Sequence, residues 1–232
     1  MHILLTRPLE DSKEFIVKLK SLGHKVSHLP VIEVNELKIE KIKFNEYSGI
    51  IFTSVNAVRF LDTKDINKSI YCFCVGSVTE RSVLKKGFQN VFAADGNVDN
   101  LKEIILRNFN QNTGKLLYVS GEMISSNLHK KLTNQDYKID RIINYKVDHI
   151  KKFDEKFIDN LKKEIPEIIY VYSQNSAKSL LNIIKKYQLV DYWMNTNLMC
   201  IGEKTSAVLN EIKWKKIFLF NPGEEEYLLY KI

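Results

Sequence analysis

Most of this sequence is written twice, and that constrains its fold more than any other feature. Gly49–Leu61 reads GIIFTSVNAVRFL, and Ile168–Leu180 reads IIYVYSQNSAKSL, which sets Ser54 over Ser173 and Asn56 over Asn175. Cys74-Val-Gly-Ser-Val-Thr79 recurs as Cys200-Ile-Gly-Glu-Lys-Thr205. The opening His2-Ile-Leu-Leu-Thr-Arg7 lies over Lys115-Leu-Leu-Tyr-Val-Ser120. At the same offset Lys25–Val34 lies over Lys138–Val147 without a gap. The order is therefore A, B, A′, B′. Two similar halves imply two similar lobes, and lobes that face each other make a cleft of the kind that binds ligands.

Each half can bury a core without staples, because the chain has 232 residues and a lobe of roughly 110 residues folds alone. No apolar run approaches the ~20 residues of a membrane span, so no membrane partner is expected. The first residues enter a strand pattern at once, so no signal peptide is expected. Three cysteines, an odd number in apolar surroundings, suit small core residues in a reducing, cytoplasmic setting. No clustered ligand set points to a metal. The net charge of +7 favours an anionic partner. Its lysines are spread along the chain, however, and spread lysines on helix faces serve solvation first.

Strand and helix patterns alternate. Ile3–Thr6 reads as a strand, followed by Pro8 at a helix start, with Phe15, Leu19 and Leu22 at helical spacing and Gly23 as the stop. Val26–Val34 reads as a second strand with Pro30 inside it, which marks a strand start, an edge or a crossing segment. Ile50–Phe52, Ile70–Val75, Val91–Ala93 and Ile217–Phe220 are further strands, and Glu224–Ile232 has the pattern of a final helical turn. Such alternation predicts an α/β fold with two doubly wound parallel sheets. The matching segments Val31–Leu37 and Asn144–Ile150 are the natural boundaries.

In such sheets ligands bind beyond the carboxyl ends of the strands. The residues there are Thr6-Arg7, Thr53–Asn56, Gly76–Thr79, Ser120–Glu122, Ser173–Ser176 and Gly202–Thr205, each expected to introduce a helix. Helix N-termini offer free N–H groups and a positive dipole end that suit carboxylates and phosphates. For any one Ser or Thr capping is the better account, and Ser77 with Glu80 fits a capping box. Six such turns in two facing lobes shift the set toward anion binding. Arg7 either binds an anion or pairs with a carboxylate such as Glu33. Tyr145 stands at the cleft if its segment bridges the lobes; otherwise it is a strand tyrosine with its hydroxyl in water.

Several chemistries lack their signatures. There is no G-x-G-x-x-G after the first strand, no G-x-x-x-x-G-K-[ST] and no G-x-S-x-G elbow. The five histidines are scattered. A two-lobed small-anion binding protein without catalysis remains compatible with the repeat. A nucleic-acid-binding protein would need a basic stripe with interleaved aromatics, and Lys85-Lys86 and Lys213-Trp-Lys-Lys216 are too short for one.

The ordered set Leu4-Leu-Thr-Arg-Pro8, Leu22–Val26, Leu29–Val34, Ile51–Val58, Val75–Thr79, Asn144-Tyr145 and Ile201–Thr205 resembles the uroporphyrinogen-III synthase family over nearly the whole chain. The resemblance implies a discontinuous first domain of residues 1–34 and 148–232, an inserted domain of residues 35–147, and a two-stranded connection between them. Segment A would pack with B′, and B with A′. It implies cyclisation of hydroxymethylbilane, a linear tetrapyrrole polycarboxylate, to uroporphyrinogen III, by a monomer without metal or nucleotide cofactor. It marks Tyr145 as the acid that assists loss of the hydroxyl. It matches Thr79 and Thr205 to the family's threonines and implies that backbone N–H groups around Ser54–Ala57, Ser77–Thr79 and Ser173–Ser176 hold carboxylates; with the strand-end residues this makes Arg7, Ser54, Asn56, Ser77, Thr79, Ser120, Ser173, Asn175, Ser176 and Thr205 the expected substrate-binding positions. The chain departs from the family pattern near Ser120, Ser125 and Ser126, where arginines often stand.

Overall fold

A computed structural model describes the chain apart from residues 222, 227, 228 and 230–232. In chain order the first elements are β1 (His2–Leu5), α1 (Leu9–Ser21), β2 (Lys25–His28), β3 (Ile32–Glu36), β4 (Tyr47–Phe52), α2 (Val55–Arg59), β5 (Tyr71–Val75), α3 (Ser77–Lys85), β6 (Asn90–Ala94) and α4 (Val98–Asn108). They continue as β7 (Lys115–Gly121), α5 (Leu128–Thr133), β8 (Ile139–His149), α6 (Glu155–Lys163), β9 (Ile168–Val171), α7 (Gln174–Lys186), α8 (Val190–Trp193), β10 (Asn197–Ile201), α9 (Glu203–Ala207) and β11 (Lys216–Phe220). The expected helical turn at 224–232 falls partly outside the described residues.

The contacts divide the chain into one unit of Met1–Glu33 with Asp148–Ile232 and a second of Val34–Val147. The first holds a sheet in the order β11-β10-β9-β1-β2, with each adjacent pair parallel. In the second, the order β6-β5-β4-β7-β8 is again parallel, with β3 beyond β8 at the edge. The two orders superpose strand for strand: β9 matches β4, β10 matches β5, and β1 matches β7. The sequence repeat is thus a repeat of sheet topology, and segment A shares its sheet with B′ while B shares its sheet with A′.

Both sheets are buried on two faces, which is why their strands read as unbroken apolar runs. In the first unit Ile3, Leu5, Ile168, Tyr170 and Met199 pack on one side with Phe15 and Leu19 of α1. Leu4, Ile169, Val171, Leu198 and Cys200 pack on the other with α6, α7 and Trp193. The same alternation in the second unit sends Phe52, Cys72, Cys74, Leu117 and Val119 toward α2 and α3. Ile51, Phe73, Leu116 and Tyr118 face α4 and α5.

The strand read over Val26–Val34 is two strands. Pro30 has no N–H to give a ladder, while Leu29 N–H donates to Leu5 O (2.9 Å) and Val31 N–H to Thr6 O (3.0 Å). β2 stops before the proline and β3 starts after it. Ile150 N–H bonds Val31 O and Leu37 N–H bonds Asn144 O. One partner's number falls as the other's rises, so β3 and β8 run antiparallel and form the two-stranded connection.

Burial pushes the thiols of Cys72, Cys74 and Cys200 up to about 12. Thiolate is the reactive form. Iodoacetamide at pH 8 is therefore expected to leave all three unmodified in the native protein and to label all three in denaturant, as read by mass spectrometry. Labelling of the native protein would contradict the burial.

Candidate functional site

Parallel pairing brings the carboxyl ends of neighbouring strands to one edge, and the polar residues singled out from sequence collect there within each unit. In the second unit this edge runs across β8, β7, β4 and β5. It gathers Tyr145, Ser120, Ser54, Asn56, Ser77 and Thr79. In the first unit it runs across β1, β9 and β10 and gathers Arg7, Ser173, Asn175, Ser176 and Thr205.

The serines divide by role. Ser54 caps α2, accepting from Asn56 N–H at 3.2 Å, and Ser173 caps α7, accepting from Ser176 N–H at 3.0 Å. Ser176 is buried, with its Oγ 2.9 Å from that of Ser173, while Asn175 is exposed on the first turn of α7. The Oδ1 of Asn56 is buried without a partner, a cost that a bound donor would relieve.

Ser77 is not the cap expected of it. Gly76 holds that position with φ +82°, a conformation that side chains resist, and Ser77 is the first helical residue, exposed and without a capping bond. Gly202 repeats the conformation at φ +71° before α9. An added Cβ would meet nothing within 4 Å at either glycine, so backbone conformation rather than space selects them. The recurring Gly-x-x-Thr thus has a conformational basis, and Thr79 and Thr205 are both buried one turn into their helices. The N–H groups of Ser77, Val78 and Thr79 precede the first intrahelical bond, from Glu80 N–H to Gly76 O.

Ser120 does not introduce a helix. β7 runs on to Gly121, and α5 begins only at Leu128, capped by Asn127. The hydroxyl of Ser120 is buried and committed to its own chain. It accepts from Arg141 Nε at 2.8 Å and donates to Gly121 O at 3.2 Å. Arg141 Nη2 also donates to Gly121 O (2.8 Å) and Glu122 O (3.1 Å). A guanidinium therefore stands at Ser120, supplied by the neighbouring strand, where Arg141 lies across from Tyr118. Sequence reasoning missed Arg141; its one signal was a cationic residue within the strand pattern that carries Tyr145.

Tyr145 owes its place to an irregularity. Ser120 pairs with Ile143 but Gly121 pairs with Tyr145, so Asn144 is an extra residue in β8. Such bulges re-aim side chains and are common beside active sites. Here the bulge lets consecutive residues reach the same layer. Asn144 Nδ2 donates to Ala57 O at 2.8 Å, and the Tyr145 ring lies 6.4 Å from that of Phe60, at the other end of α2. The phenol end of Tyr145 rests over Gly121, where a Cβ would stand 2.6 Å from Cζ and 2.9 Å from the hydroxyl oxygen. That hydroxyl bonds no described residue, yet it is not among the sealed, unpaired polar atoms. It is a donor left available to a ligand. Nearby, Tyr118 bonds Thr53 Oγ1 at 3.0 Å, and burial pushes its phenol up.

Arg7 stacks on Tyr172, its guanidinium carbon 4.3 Å from the ring centroid, and pairs with Glu225 at 3.8 Å instead of Glu33. The Nε of Arg7 and the hydroxyl of Tyr172 are both buried without partners. A depression lined by Lys38, Ile39, Ile42, Tyr47 and Ile142 holds none of the residues singled out from sequence. Among the described residues no cluster of His, Cys, Asp and Glu could hold a metal, and no helix is long and apolar enough to cross a membrane.

Comparison with known proteins bears on this arrangement. The family model described as uroporphyrinogen-III synthase HemD matches residues 13–219. A porphyrin biosynthesis protein HemD of Ruminiclostridium josui is 25% identical over 88% of this chain, which spans only 42% of that relative. An uncharacterised protein of Rickettsia prowazekii is 22% identical, with 99% of this chain and 97% of the relative covered. Among solved structures, uroporphyrinogen-III synthetase of Helicobacter pylori 26695 matches with TM-score 0.64 and 19% identity, covering 100% of this chain and 99% of that one. A mutant uroporphyrinogen III synthase of Thermus thermophilus matches with TM-score 0.57 and 15% identity, covering 100% and 98%. At these identities the structures support the fold, with its two parallel-sheet lobes.

Proposed function

The chain belongs to the uroporphyrinogen-III synthase family, and from that premise we propose that it cyclises hydroxymethylbilane to uroporphyrinogen III as a cytoplasmic monomer and acts as a hydro-lyase. The observation that carries this reading is the available phenol of Tyr145 at a strand edge lined by anion-binding groups.

The reaction starts with loss of hydroxide from the terminal hydroxymethyl carbon, assisted by a proton from Tyr145, and water departs. The pyrrole nitrogen's electrons make the remaining carbon an electrophilic azafulvene. Ring D then attacks that carbon through its substituted α-carbon, giving a spiro intermediate. The older bond from that α-carbon to its bridging carbon breaks, and the freed bridge recloses on the other α-carbon of ring D. The proton lost there restores the pyrrole and returns to the Tyr145 phenolate, with ring D inverted.

None of these steps needs a redox partner. They need the ends of a flexible chain to meet in one orientation, which is catalysis by positioning. The substrate is an octacarboxylate. Each unit separately offers receptors for carboxylates: the N–H groups at the starts of α3 and α7, the hydroxyls of Ser173 and Ser176, and the cation of Arg7. Because backbone N–H groups carry much of this binding, Ser77→Ala and Asn175→Ala are expected to change KM by less than about threefold, the scale of one exposed hydrogen bond.

The deciding experiment mixes purified protein with freshly generated hydroxymethylbilane and resolves the oxidised uroporphyrin isomers by chromatography. Predominantly isomer III is expected. Isomer I alone, at the rate of the protein-free control, would reject the reading in favour of a two-lobed anion-binding protein without catalysis.

A further inference from the structure

Arg141 is held more firmly than a solvated arginine needs to be. Its Nε donates to Ser120 Oγ, and its Nη2 to the carbonyls of Gly121 and Glu122. Two of these acceptors lie at the end of β7, and the third, Glu122, follows it directly. None is a carboxylate. Nη1 donates to none of them. The side chain is partly exposed at the carboxyl edge of the sheet, the edge at which Tyr145 stands. Gly121 joins the two, because its carbonyl accepts from Arg141 while its α-carbon lies under the Tyr145 phenol.

A guanidinium fixed by neutral acceptors keeps its charge, and its Nη1 group remains to donate. Fixing it in advance removes the rotamer entropy that a lysine would lose on binding, and a carboxylate can take a charge-assisted hydrogen bond from Nη1. A purely structural tie across the bulge would need these hydrogen bonds but not a further donor at Nη1.

We propose that Arg141 is a carboxylate receptor of this site. Its Nη1 takes one acidic side chain of the linear tetrapyrrole and holds the pyrrole that bears it beside the Tyr145 hydroxyl. Ser120 then acts through Arg141 as its anchor, with no direct contact to the ligand. The inference rests on the function proposed above and adds to it a specific contact.

The test uses uroporphyrin III, an octacarboxylate the protein does not turn over, titrated by fluorescence against wild type, Arg141→Gln and Arg141→Lys at two salt concentrations. Loss of one charge-assisted hydrogen bond predicts a Kd at least about tenfold higher for Arg141→Gln. A weaker salt dependence is expected with it. Arg141→Lys keeps the charge but loses the fork that anchors it to Ser120 and Gly121, and its Kd is expected to rise at least about threefold. In turnover Arg141→Gln should raise KM more than it lowers kcat. A structural tie predicts the opposite pattern: lowered thermal midpoints in both variants with unaltered Kd and salt dependence, which would overturn the proposal. Should the neutral variant not fold, the lysine variant decides alone, since an unchanged Kd there also overturns it. Wild-type protein that yields only isomer I would overturn the function itself. Wild type that yields isomer III, with variants that bind uroporphyrin normally, overturns Arg141 alone.

Discussion

Tyr145→Phe is expected to lower the rate of isomer III formation by about a hundredfold or more, the span of general acid catalysis by a positioned side chain. The phenylalanine keeps the ring that packs against Phe60 and covers Gly121, so the fold and the bulge should survive. Only the hydroxyl is lost, and that hydroxyl bonds no described residue, so its removal breaks no internal hydrogen bond. The readouts are kcat with freshly made hydroxymethylbilane, the isomer III fraction after oxidation, and the Kd for uroporphyrin III. A large fall in kcat with an unaltered Kd assigns Tyr145 to the departure of the hydroxyl. A kcat within about threefold of wild type would show that the phenol only positions the substrate, because a proton donor to the leaving group cannot be removed so cheaply.

Much of the architecture was legible because it is local and doubled. The apolar runs of β4, β5, β9 and β10 carry the period of strands buried on both faces, and Gly76 and Gly202 mark the same turn twice. The turns after these strands fall at one edge as soon as the strands are parallel, so Ser54, Thr79, Ser173 and Thr205 could be placed without coordinates. What escaped depends on register between distant strands. The extra residue at Asn144 is invisible until β8 is laid against β7, since no Gly or Pro marks it. Arg141 reaches Ser120 only because those strands are neighbours. Ser77 fails as a cap because the positive φ of Gly76 moves the start of α3 by one residue. The partner of Arg7, Glu225, comes from the far end of the chain, where no local pattern could indicate it.

Gly121→Ala separates these two levels most sharply. The added methyl would stand 2.6 to 2.9 Å from Cζ, Cε2 and the hydroxyl oxygen of Tyr145, so the ring must move. Alanine in a strand gains about 0.5–1 kcal/mol over glycine from chain entropy, whereas forcing a methyl into a packed site costs about 1–3 kcal/mol. The clash outweighs the entropy gain, and a net loss of stability is expected in denaturant unfolding. The functional cost should be greater still. A catalytic group displaced by about 1 Å forfeits on the order of a hundredfold in rate, so Gly121→Ala should approach Tyr145→Phe in its effect on isomer III formation. Gly121→Ala in a Tyr145→Ala background tests the cause. With the ring gone the methyl has room, the entropy gain should dominate, and the stability loss should vanish or reverse, giving a coupling of at least about 1 kcal/mol between the two sites. Additive effects would mean that the methyl disturbs something other than Tyr145, and the account of how the bulge seats the phenol on Gly121 would fall with them.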